Sequence, residues 1–394
     1  PASSLAFRAE KVPAFGARRF QVVKGKALNR GSVKINEKGI SNDSISLGID
    51  AASGTINSLR HKDIAAELVD ARQAPGLNDF LRIIGRNADQ GRSTNGGSTK
   101  VTVEDAGPLV ATLRIESTAP GCKSLIRRVR LVDGEDAVEL INTLDKIKEL
   151  KPETVFFGFP FNIPGADSTL DAPWATVKVE KQQIVGANRN FYCVQRWLDV
   201  SNKDYGITWV TLDSPMMQFN PIKIAHAFGA QHYRTRIEPG AYIHSWVMNN
   251  HWECNFKAYQ KGKMTFRYLL KPHKGAYDAV KAQRFGRESC RPLLAISANK
   301  NKEVVKPLLK LAKQNGILIT SIRPTEDGKA YLVRLFNSSE QTQENNLKWQ
   351  RGVSGGLFSG PSSWVSNPQG DKLSKAPSTL IMGKHEVMTI RVKR

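Results

Sequence analysis

Short runs in which apolar and polar residues alternate recur along most of this sequence, and turn-forming residues separate them. Residues 101–104 and 109–116 flank one Gly-containing turn, and residues 125–132 and 137–144 flank another. Alternation with a period of two is typical of a strand with one buried face. Two such runs around a short turn predict a hairpin. We therefore expect two consecutive β-hairpins in this part of the chain.

The same pattern continues on both sides of these hairpins, whereas helical signals are few and short. Further strands are predicted at residues 55–59, 154–157, 176–179, 205–212, 264–270, 317–322, 330–336 and 387–392. Residues 277–285 could form a helix that Gly286 ends, and residues 307–314 another that begins at Pro307. Many short strands with Gly, Pro and Asp between them indicate an all-β sandwich or barrel.

A change in composition suggests two units. Cys290-Arg291-Pro292 is followed by a polar stretch at residues 297–302, which is typical of a boundary. We place the boundary near residue 295. This gives a large β unit at 1–295 and a smaller β unit at 296–394.

Residues 192–206 carry a Trp between polar residues and then a turn. Trp197 alternates with Gln195 and Asp199, and residues 201–206 are rich in turn formers. The pattern favours a core tryptophan and a hairpin over a binding site.

The chain is strongly basic, with 58 Lys and Arg against 36 Asp and Glu and a formal charge of +22. Such an excess raises the possibility of a nucleic acid or acidic glycan partner. The sequence has no run of five like charges, no zinc finger and no RNA-binding aromatic motif. Lys and Arg are interleaved with apolar residues, as on the solvated faces of strands. We therefore favour a solvated basic surface without a polyanion, and expect no nucleic acid partner.

Neither a membrane segment nor a metal site is expected. No stretch approaches the roughly 18 uncharged apolar residues of a spanning helix. The four cysteines, at 122, 193, 254 and 290, are widely spaced without a CxxC pair, which argues against structural zinc. Two disulfides are arithmetically possible, but a core of this size needs none, so we predict buried free thiols. His61-Lys62-Asp63 has the form of a metal-binding pair, but a pair alone is weak.

Two segments have the residue types that recognise sugars. In the first, residues 75–97, Asn78, Asp79, Asp89 and Arg92 lie among several glycines. Carboxylates, amides and guanidinium groups pair with adjacent sugar hydroxyls, and glycine lets the backbone approach a ligand. The alternative is an ordinary polar surface loop.

The second segment is residues 248–254, which contain Asn250, His251 and Trp252. On a strand, Asn250 and Trp252 would share one face and His251 the other. A sugar-facing role and a hydrogen-bonded structural cluster both remain open. A metal pair of His251 with Cys254 is disfavoured because no third ligand lies nearby.

Several phrases of the sequence, in their order along the chain, resemble one known family. They are Ala74-Pro75-Gly76-Leu77-Asn78-Asp79-Phe80, Asp105-Ala106-Gly107-Pro108-Leu109-Val110, Phe159-Pro160-Phe161-Asn162-Ile163-Pro164-Gly165, Trp197-Leu198-Asp199-Val200-Ser201-Asn202, Leu212-Asp213-Ser214-Pro215 and Met248-Asn249-Asn250-His251-Trp252. Together they resemble the C-terminal half of glycoside hydrolase family 38, the zinc-dependent α-mannosidases.

This resemblance implies a large super-sandwich of galactose-mutarotase type followed by a smaller β-sandwich domain. It also implies that the zinc site and the Asp nucleophile belong to an N-terminal catalytic barrel outside this sequence, so we expect no cofactor and no catalytic residue here. The expected partners are that barrel and a mannoside. Loops of this half of the family complete the sugar pocket, which makes one set of residues sugar-binding candidates. They are Asn78, Asp79, Asp89, Arg92, Asn250, His251 and Trp252.

The resulting hypothesis is a region that supports the barrel, contributes carbohydrate contacts and is inactive alone. Two other functions stay open. A mutarotase-like epimerase or lyase would need His251 and a carboxylate to converge on one pocket. A stand-alone glycan-binding module would need no catalytic groups, and its basic charge would suit acidic glycans.

Overall fold

The structure is a computed structural model that describes residues 5–26, 30–224, 233–251, 257–298, 307, 309–349 and 363–393. Within these ranges it contains 28 strands and one α-helix. The predicted all-β fold class is confirmed. None of the helical structure in these ranges has the length and apolar character that a membrane crossing requires.

The strands fall into two groups along the chain. The first group is β1 (Lys34–Asn36), β2 (Gly39–Ser41), β3 (Ile45–Ile49), β4 (Ile56–His61), β5 (Phe80–Ile84), β6 (Arg92–Thr94), β7 (Gly96–Ala106), β8 (Val110–Thr118), β9 (Cys122–Val132), β10 (Val138–Lys146), β11 (Glu153–Pro160), β12 (Asp167–Ala172), β13 (Ala175–Lys178), β14 (Tyr192–Cys193), β15 (Trp197–Ser201), β16 (Tyr205–Thr211), β17 (Met216–Phe219), β18 (Tyr242–Asn249) and β19 (Gly262–Lys274). After helix α1 (Ala279–Ser289), the second group is β20 (Leu309–Leu311), β21 (Ile317–Pro324), β22 (Ala330–Asn337), β23 (Gln343–Asn345), β24 (Leu347–Trp349), β25 (Ser363–Ser366), β26 (Lys372–Lys375), β27 (Leu380–Met382) and β28 (Val387–Lys393).

Two large antiparallel sheets make up most of the first group. The nine-stranded sheet has the order β13-β12-β15-β16-β19-β10-β9-β8-β7, and the six-stranded sheet has the order β14-β17-β18-β11-β5-β6. Side chains from both sheets share one core, in which Phe159 of β11 contacts Trp209 of β16 and Tyr268 of β19 at ring distances of 5.5 and 4.9 Å. The arrangement is therefore a sandwich, and β1 to β4 form a separate four-stranded sheet beside it.

The two predicted hairpins are confirmed as β7–β8 and β9–β10. On β9, every second residue from Leu125 to Leu131 is buried, including Arg127. This matches the period of two, because successive side chains of a strand point to opposite faces. Burial of an arginine on the core face is the departure from the pattern.

Helix α1 confirms one predicted helix but not its end. Asp278 caps its N-terminus by accepting hydrogen bonds from the backbone N–H groups of Val280 and Lys281 at 3.0 and 3.1 Å. The helix continues past Gly286, and a Cβ at that glycine would lie 2.4 Å from Cδ1 of Trp197. Gly286 therefore permits close packing on a tryptophan and does not stop the helix.

Trp197 is fully buried, as predicted, and β15 and β16 form the expected hairpin. The indole Nε1 of Trp197 donates to Oε1 of Gln283 at 2.7 Å, and this hydrogen bond connects α1 to the nine-stranded sheet.

The prediction of a second helix at residues 307–314 is wrong. Residues 309–311 form β20, which pairs with β24. Leu309 is fully buried in the core of the second group. Burial of this side chain in a β core outweighs a weak helical pattern of the same apolar residues.

The second group has its own core. A five-stranded sheet with the order β21-β22-β28-β25-β26 is accompanied by the two-stranded sheets β20-β24 and β23-β27. Val333, Leu335 and Ile390 are among its fully enclosed side chains. The exact boundary near residue 295 stays a prediction. The three cysteines that the structure describes, Cys122, Cys193 and Cys290, are free thiols. The prediction that they are buried is wrong, because Cys122 is only partly buried and Cys193 and Cys290, at the ends of β14 and α1, are exposed.

Candidate functional site

The six-stranded sheet has one face in the sandwich core and another turned away from it. This outer face is formed by Leu81, Ile83, Phe156, His244 and Trp246. The ring of Phe156 stacks on Trp246 at 5.9 Å and meets His244 edge-on at 6.0 Å. An aromatic row with an imidazole therefore crosses the middle of the sheet, beside both predicted sugar-binding segments.

His244 is fully buried at the centre of the outer face. Its cross-strand neighbours are Gly158 on β11 and Gln218 on β17, and the Tyr242 ring lies 4.3 Å away. Neither ring nitrogen has a hydrogen-bond partner in the described part of the chain. Burial, and secondarily the positive charge of Arg92, lowers the pKa of His244 to about 3. The imidazole is therefore neutral at physiological pH.

Gln218 adds a second unsatisfied group beside this imidazole. Its Oε1 accepts the backbone N–H of Lys223 at 2.9 Å, whereas its Nε2 has no partner among the residues described. Buried polar groups in native proteins are nearly always hydrogen-bonded, so each exception invites a functional explanation. Sequence reasoning did not single out His244 or Gln218, because a strand pattern shows burial but not the absence of partners.

The structure brings the two predicted segments together at one end of β11. His251 accepts from or donates to the Thr154 hydroxyl through Nδ1 at 2.9 Å, and its ring stacks on Trp246 at 5.7 Å with an interplanar angle of 5°. Its backbone carbonyl accepts from the Arg86 guanidinium at 3.2 Å. Residues 85–91 and 248–251, distant in sequence, are therefore in contact.

Asn250 connects the second segment to the start of β11 and to the residues before it through hydrogen bonds. Its Oδ1 accepts the backbone N–H of Glu153 at 2.6 Å. Its Nδ2 lies within 3.2 Å of three carbonyl oxygens, those of Glu149, Lys151 and Ala258. Both ends of the amide are thus used inside the protein.

Asn78, near the start of the first segment, lies inside the sandwich. It is 1% exposed and adopts a positive φ of 61°. Its amide exchanges two hydrogen bonds with Asn142 of β10, at 2.9 and 2.6 Å. The reciprocal pair joins the segment to the nine-stranded sheet.

Asp79 is bound in the same interior. It forms a salt bridge with Arg127, accepts the Thr55 hydroxyl at 2.7 Å and accepts the Gly76 N–H at 3.2 Å. The buried arginine of β9 is thereby explained, since Asp79 supplies its counter-charge. Asn78 and Asp79 lie beside Gly158 of β11, whereas Asn250 and His251 lie beside Glu153 and Thr154 at the start of the same strand. We call these two separate pairs together the loop cluster.

Asp89 and Arg92 differ from the loop cluster because both side chains are exposed. Arg92 donates to the carbonyl of Ala88 at 3.2 Å, and its positive charge adds to the effect of burial in lowering the pKa of His244. Trp252 lies outside the described residues. A sugar-binding role of all seven residues stays a prediction.

The candidate acid–base pair of an epimerase gains no support from these contacts. The contacts of the His251 ring are the Thr154 hydroxyl and the Trp246 indole among those described above. In the described ranges, no three His, Cys, Asp or Glu side chains gather as a metal site requires. His61 instead accepts the backbone N–H of Asp63 at 3.2 Å.

Comparison with solved structures identifies the fold. An α-mannosidase from Enterococcus faecalis V583 superposes with a TM-score of 0.71 over 94% of this chain, at 14% identity. A protein of glycoside hydrolase family 38 from Enterococcus faecalis gives a TM-score of 0.70 over 94% of this chain, at 13% identity. The chain has the fold of part of these α-mannosidases. The resemblance predicted from the sequence is thereby confirmed at the level of the fold.

The chain spans less than half the length of these two structures, 44% and 46%. A galactose mutarotase related enzyme from Lactobacillus acidophilus is matched more weakly, over 60% of this chain with a TM-score of 0.36 and 11% identity. No family model matches the sequence. No curated protein sequence matches it either.

Proposed function

We propose that this chain is the β-sandwich region of a family 38-like α-mannosidase, which supports a catalytic barrel and contributes carbohydrate contacts. One observation carries the proposal: a mannosidase fold matches 94% of this chain, while the chain accounts for 44% of that mannosidase. A region of such a length and fold would act together with the rest of the enzyme. Under this proposal the family's zinc is held by the barrel.

The two segments have different roles in the proposal. Asp89 and Arg92 are exposed and contact the carbohydrate through charge-assisted hydrogen bonds to its hydroxyls. The loop cluster positions them, since its polar groups are bound to Asn142, Arg127, Thr154 and the backbone. Trp252 stays a candidate for stacking on a sugar ring.

The test of catalysis uses the purified chain with an aryl α-mannoside, with and without added zinc. We expect no turnover, because the nucleophile and metal ligands are supplied by the barrel. Hydrolysis that EDTA stops would refute this expectation.

The test of carbohydrate contact is a titration with methyl α-mannoside, followed by NMR. Loss of a hydrogen bond to a charged group weakens binding by about tenfold or more, so Arg92→Gln should weaken the interaction by about that factor. Arg60→Gln, an exposed arginine on β4, serves as the control. Equal affinities of the two variants would exclude Arg92 from the contact. Tight glycan binding by the isolated chain would instead favour a stand-alone binding module.

A further inference from the structure

A cavity of about 240 Å³ lies between the large sandwich, the end of α1 and the five-stranded sheet of the second group. Its lining is Trp174, Gln195, Arg196, Arg287, Arg291, Thr320, Ser321 and Arg334. Half of these residues are arginines. We call it the arginine cavity; it lies apart from the outer face and shares no residue with it.

The four arginines of the cavity lie in separate parts of the fold. Arg196 immediately precedes β15, Arg287 lies in the last turn of α1, and Arg291 follows that helix. Arg334 of β22 pairs in register with Ser321 of β21. Because these positions are distant in sequence, the convergence of positive charge arises only from the tertiary fold.

The second group contributes hydroxyl groups through a local irregularity. The β21–β22 register shifts between Ile319 and Ser321, so Thr320 is the extra residue of a β-bulge. Bulges re-aim side chains and are over-represented at functional sites. Here the bulge places both Thr320 and Ser321 in the wall of the cavity.

The positive charge in the cavity is poorly compensated. Arg196 pairs with the fully buried Asp171 at 3.3 Å. In the described part of the chain, Arg287, Arg291 and Arg334 form no salt bridge. Arg287 instead lies over the Phe336 ring at 5.6 Å, and Arg291 donates to the carbonyl of Thr320 at 3.4 Å. Four guanidinium groups thus face a single carboxylate.

The titration of the neighbouring groups reflects this crowding. Burial, and secondarily the charge of Arg196, lowers the pKa of Arg287 to about 10. Burial raises the pKa of Asp171 to about 6 despite its arginine neighbours. Like charges repel more strongly where water is partly excluded. A bound anion would relieve that repulsion.

We propose that the arginine cavity binds a phosphate group, either as inorganic phosphate or as a phosphate monoester. The guanidinium fork matches phosphate oxygens in bidentate geometry. A phosphate carries nearly two negative charges, which compensate three unpaired guanidinium groups better than one carboxylate does. Thr320 and Ser321 add hydroxyl donors, and Trp174, 42% exposed, offers a ring to an organic substituent.

The test titrates the whole chain with inorganic phosphate at constant ionic strength, followed by calorimetry and by the shift of the melting temperature. We expect saturable binding that chloride does not reproduce. Arg334→Gln should weaken it by about tenfold or more, as expected for loss of a charged hydrogen bond. Arg334→Lys, which keeps the charge but loses the fork, should give an intermediate affinity.

Arg291 and Arg323 provide a matched pair of variants. Both are exposed, and each donates to one backbone carbonyl, that of Thr320 or Pro368. Only Arg291 lines the cavity. Arg291→Gln should weaken phosphate binding by about tenfold, whereas Arg323→Gln should leave it unchanged. Because neither side chain is buried, both variants should fold.

Phenyl phosphate and mannose 6-phosphate distinguish the sources of the group. Tighter binding of a monoester than of inorganic phosphate would identify an organic ligand, and the reverse order would identify the free ion. Absence of saturable phosphate binding, or equal losses in the Arg291 and Arg323 variants, would overturn the proposal. Neither result depends on mannoside binding, so the carbohydrate role is tested separately.

Discussion

The loop cluster and the arginine cavity are both rich in polar residues, but they differ in whether the charged and polar groups have partners inside the protein. In the loop cluster, Asn78 and Asp79 are matched by Asn142 and Arg127, so amide meets amide and carboxylate meets guanidinium. In the arginine cavity, three of the four guanidinium groups have no carboxylate within the described chain. Polar groups that satisfy one another stabilise a fold, whereas uncompensated groups indicate a ligand.

The outer face of the six-stranded sheet lies between these two extremes. Among the described residues, His244 has no hydrogen-bond partner at either ring nitrogen and lies against aromatic rings, whereas His251, seven positions later, hydrogen-bonds Thr154. His251 thus has an identified structural role, the hydrogen bond to Thr154. No contact in the described residues compensates for burying the ring nitrogens of His244.

Removal of the Asp79 carboxylate should have the largest effect. Asp79→Ala leaves Arg127 buried without its counter-charge, which costs about 3–5 kcal/mol in comparable buried pairs. The free energy of unfolding from urea denaturation measures this cost. Asp89→Ala, an exposed aspartate ten residues later, is the matched control and should change stability by less than about 0.5 kcal/mol. Similar values for both would contradict a structural role of Asp79.

Acidification should lower the free energy of unfolding because His244 is buried in its neutral form. Its pKa is lowered from 6.5 to about 3 by burial, so the unfolded chain binds a proton in this interval and the folded chain does not. The free energy of unfolding is therefore unaffected by this group above pH 6.5. As pH falls from 6.5 towards 3, protonation of His244 in the unfolded chain lowers the free energy of unfolding by about 1.4 kcal/mol per pH unit.

His244→Leu removes this group without removing a hydrogen bond. Unfolding curves between pH 6.5 and 4.5 should show a loss of stability about 2–3 kcal/mol smaller in the variant than in the parent protein. Identical pH slopes would show that His244 can take up a proton in the folded state. His251→Leu, in contrast, should also cost stability at neutral pH, because it leaves the Thr154 hydroxyl without its imidazole partner.

The Asn78–Asn142 pair should give a smaller effect with a characteristic signature. Replacement of either residue by Ala leaves a buried amide unsatisfied, at a cost of about 1–3 kcal/mol. The double variant leaves no orphaned amide at this pair, so its loss should be less than the sum of the single losses by about 1 kcal/mol. A double-mutant cycle of unfolding free energies measures the coupling, and strict additivity would mean that the two amides do not depend on each other.

Much of the architecture could be predicted because strands leave a local signature. The alternation around residues 105–108 and 133–136 specifies which residues face the core, and the structure confirms both hairpins. Short helices were less predictable. From the sequence alone, Gly286 predicts the end of a helix. In the structure the helix continues through Gly286, where the missing side chain leaves room for Trp197.

The candidate site was predictable in residue type and not in role. Asn78, Asp79, Asn250 and His251 were selected because their side chains can bind sugars, and the same chemistry lets them bind Asn142, Arg127, Thr154 and the backbone. Asp89 and Arg92 belong to the same sequence segment but are exposed. Nothing in the local sequence separates the two sets.

The sequence by itself determined an all-β chain, its hairpins, its buried Trp197 and its likeness to part of a mannosidase. These features depend on the alternation of neighbouring residues or on ordered short phrases, which are present before folding. The tertiary structure alone decided which polar groups are paired and which are left over. Asn78 finds its partner 64 residues away, and the cavity arginines come from four separate positions. Hydrogen bonds and charges act over a few ångströms, so their balance is set by which distant strands the fold brings together.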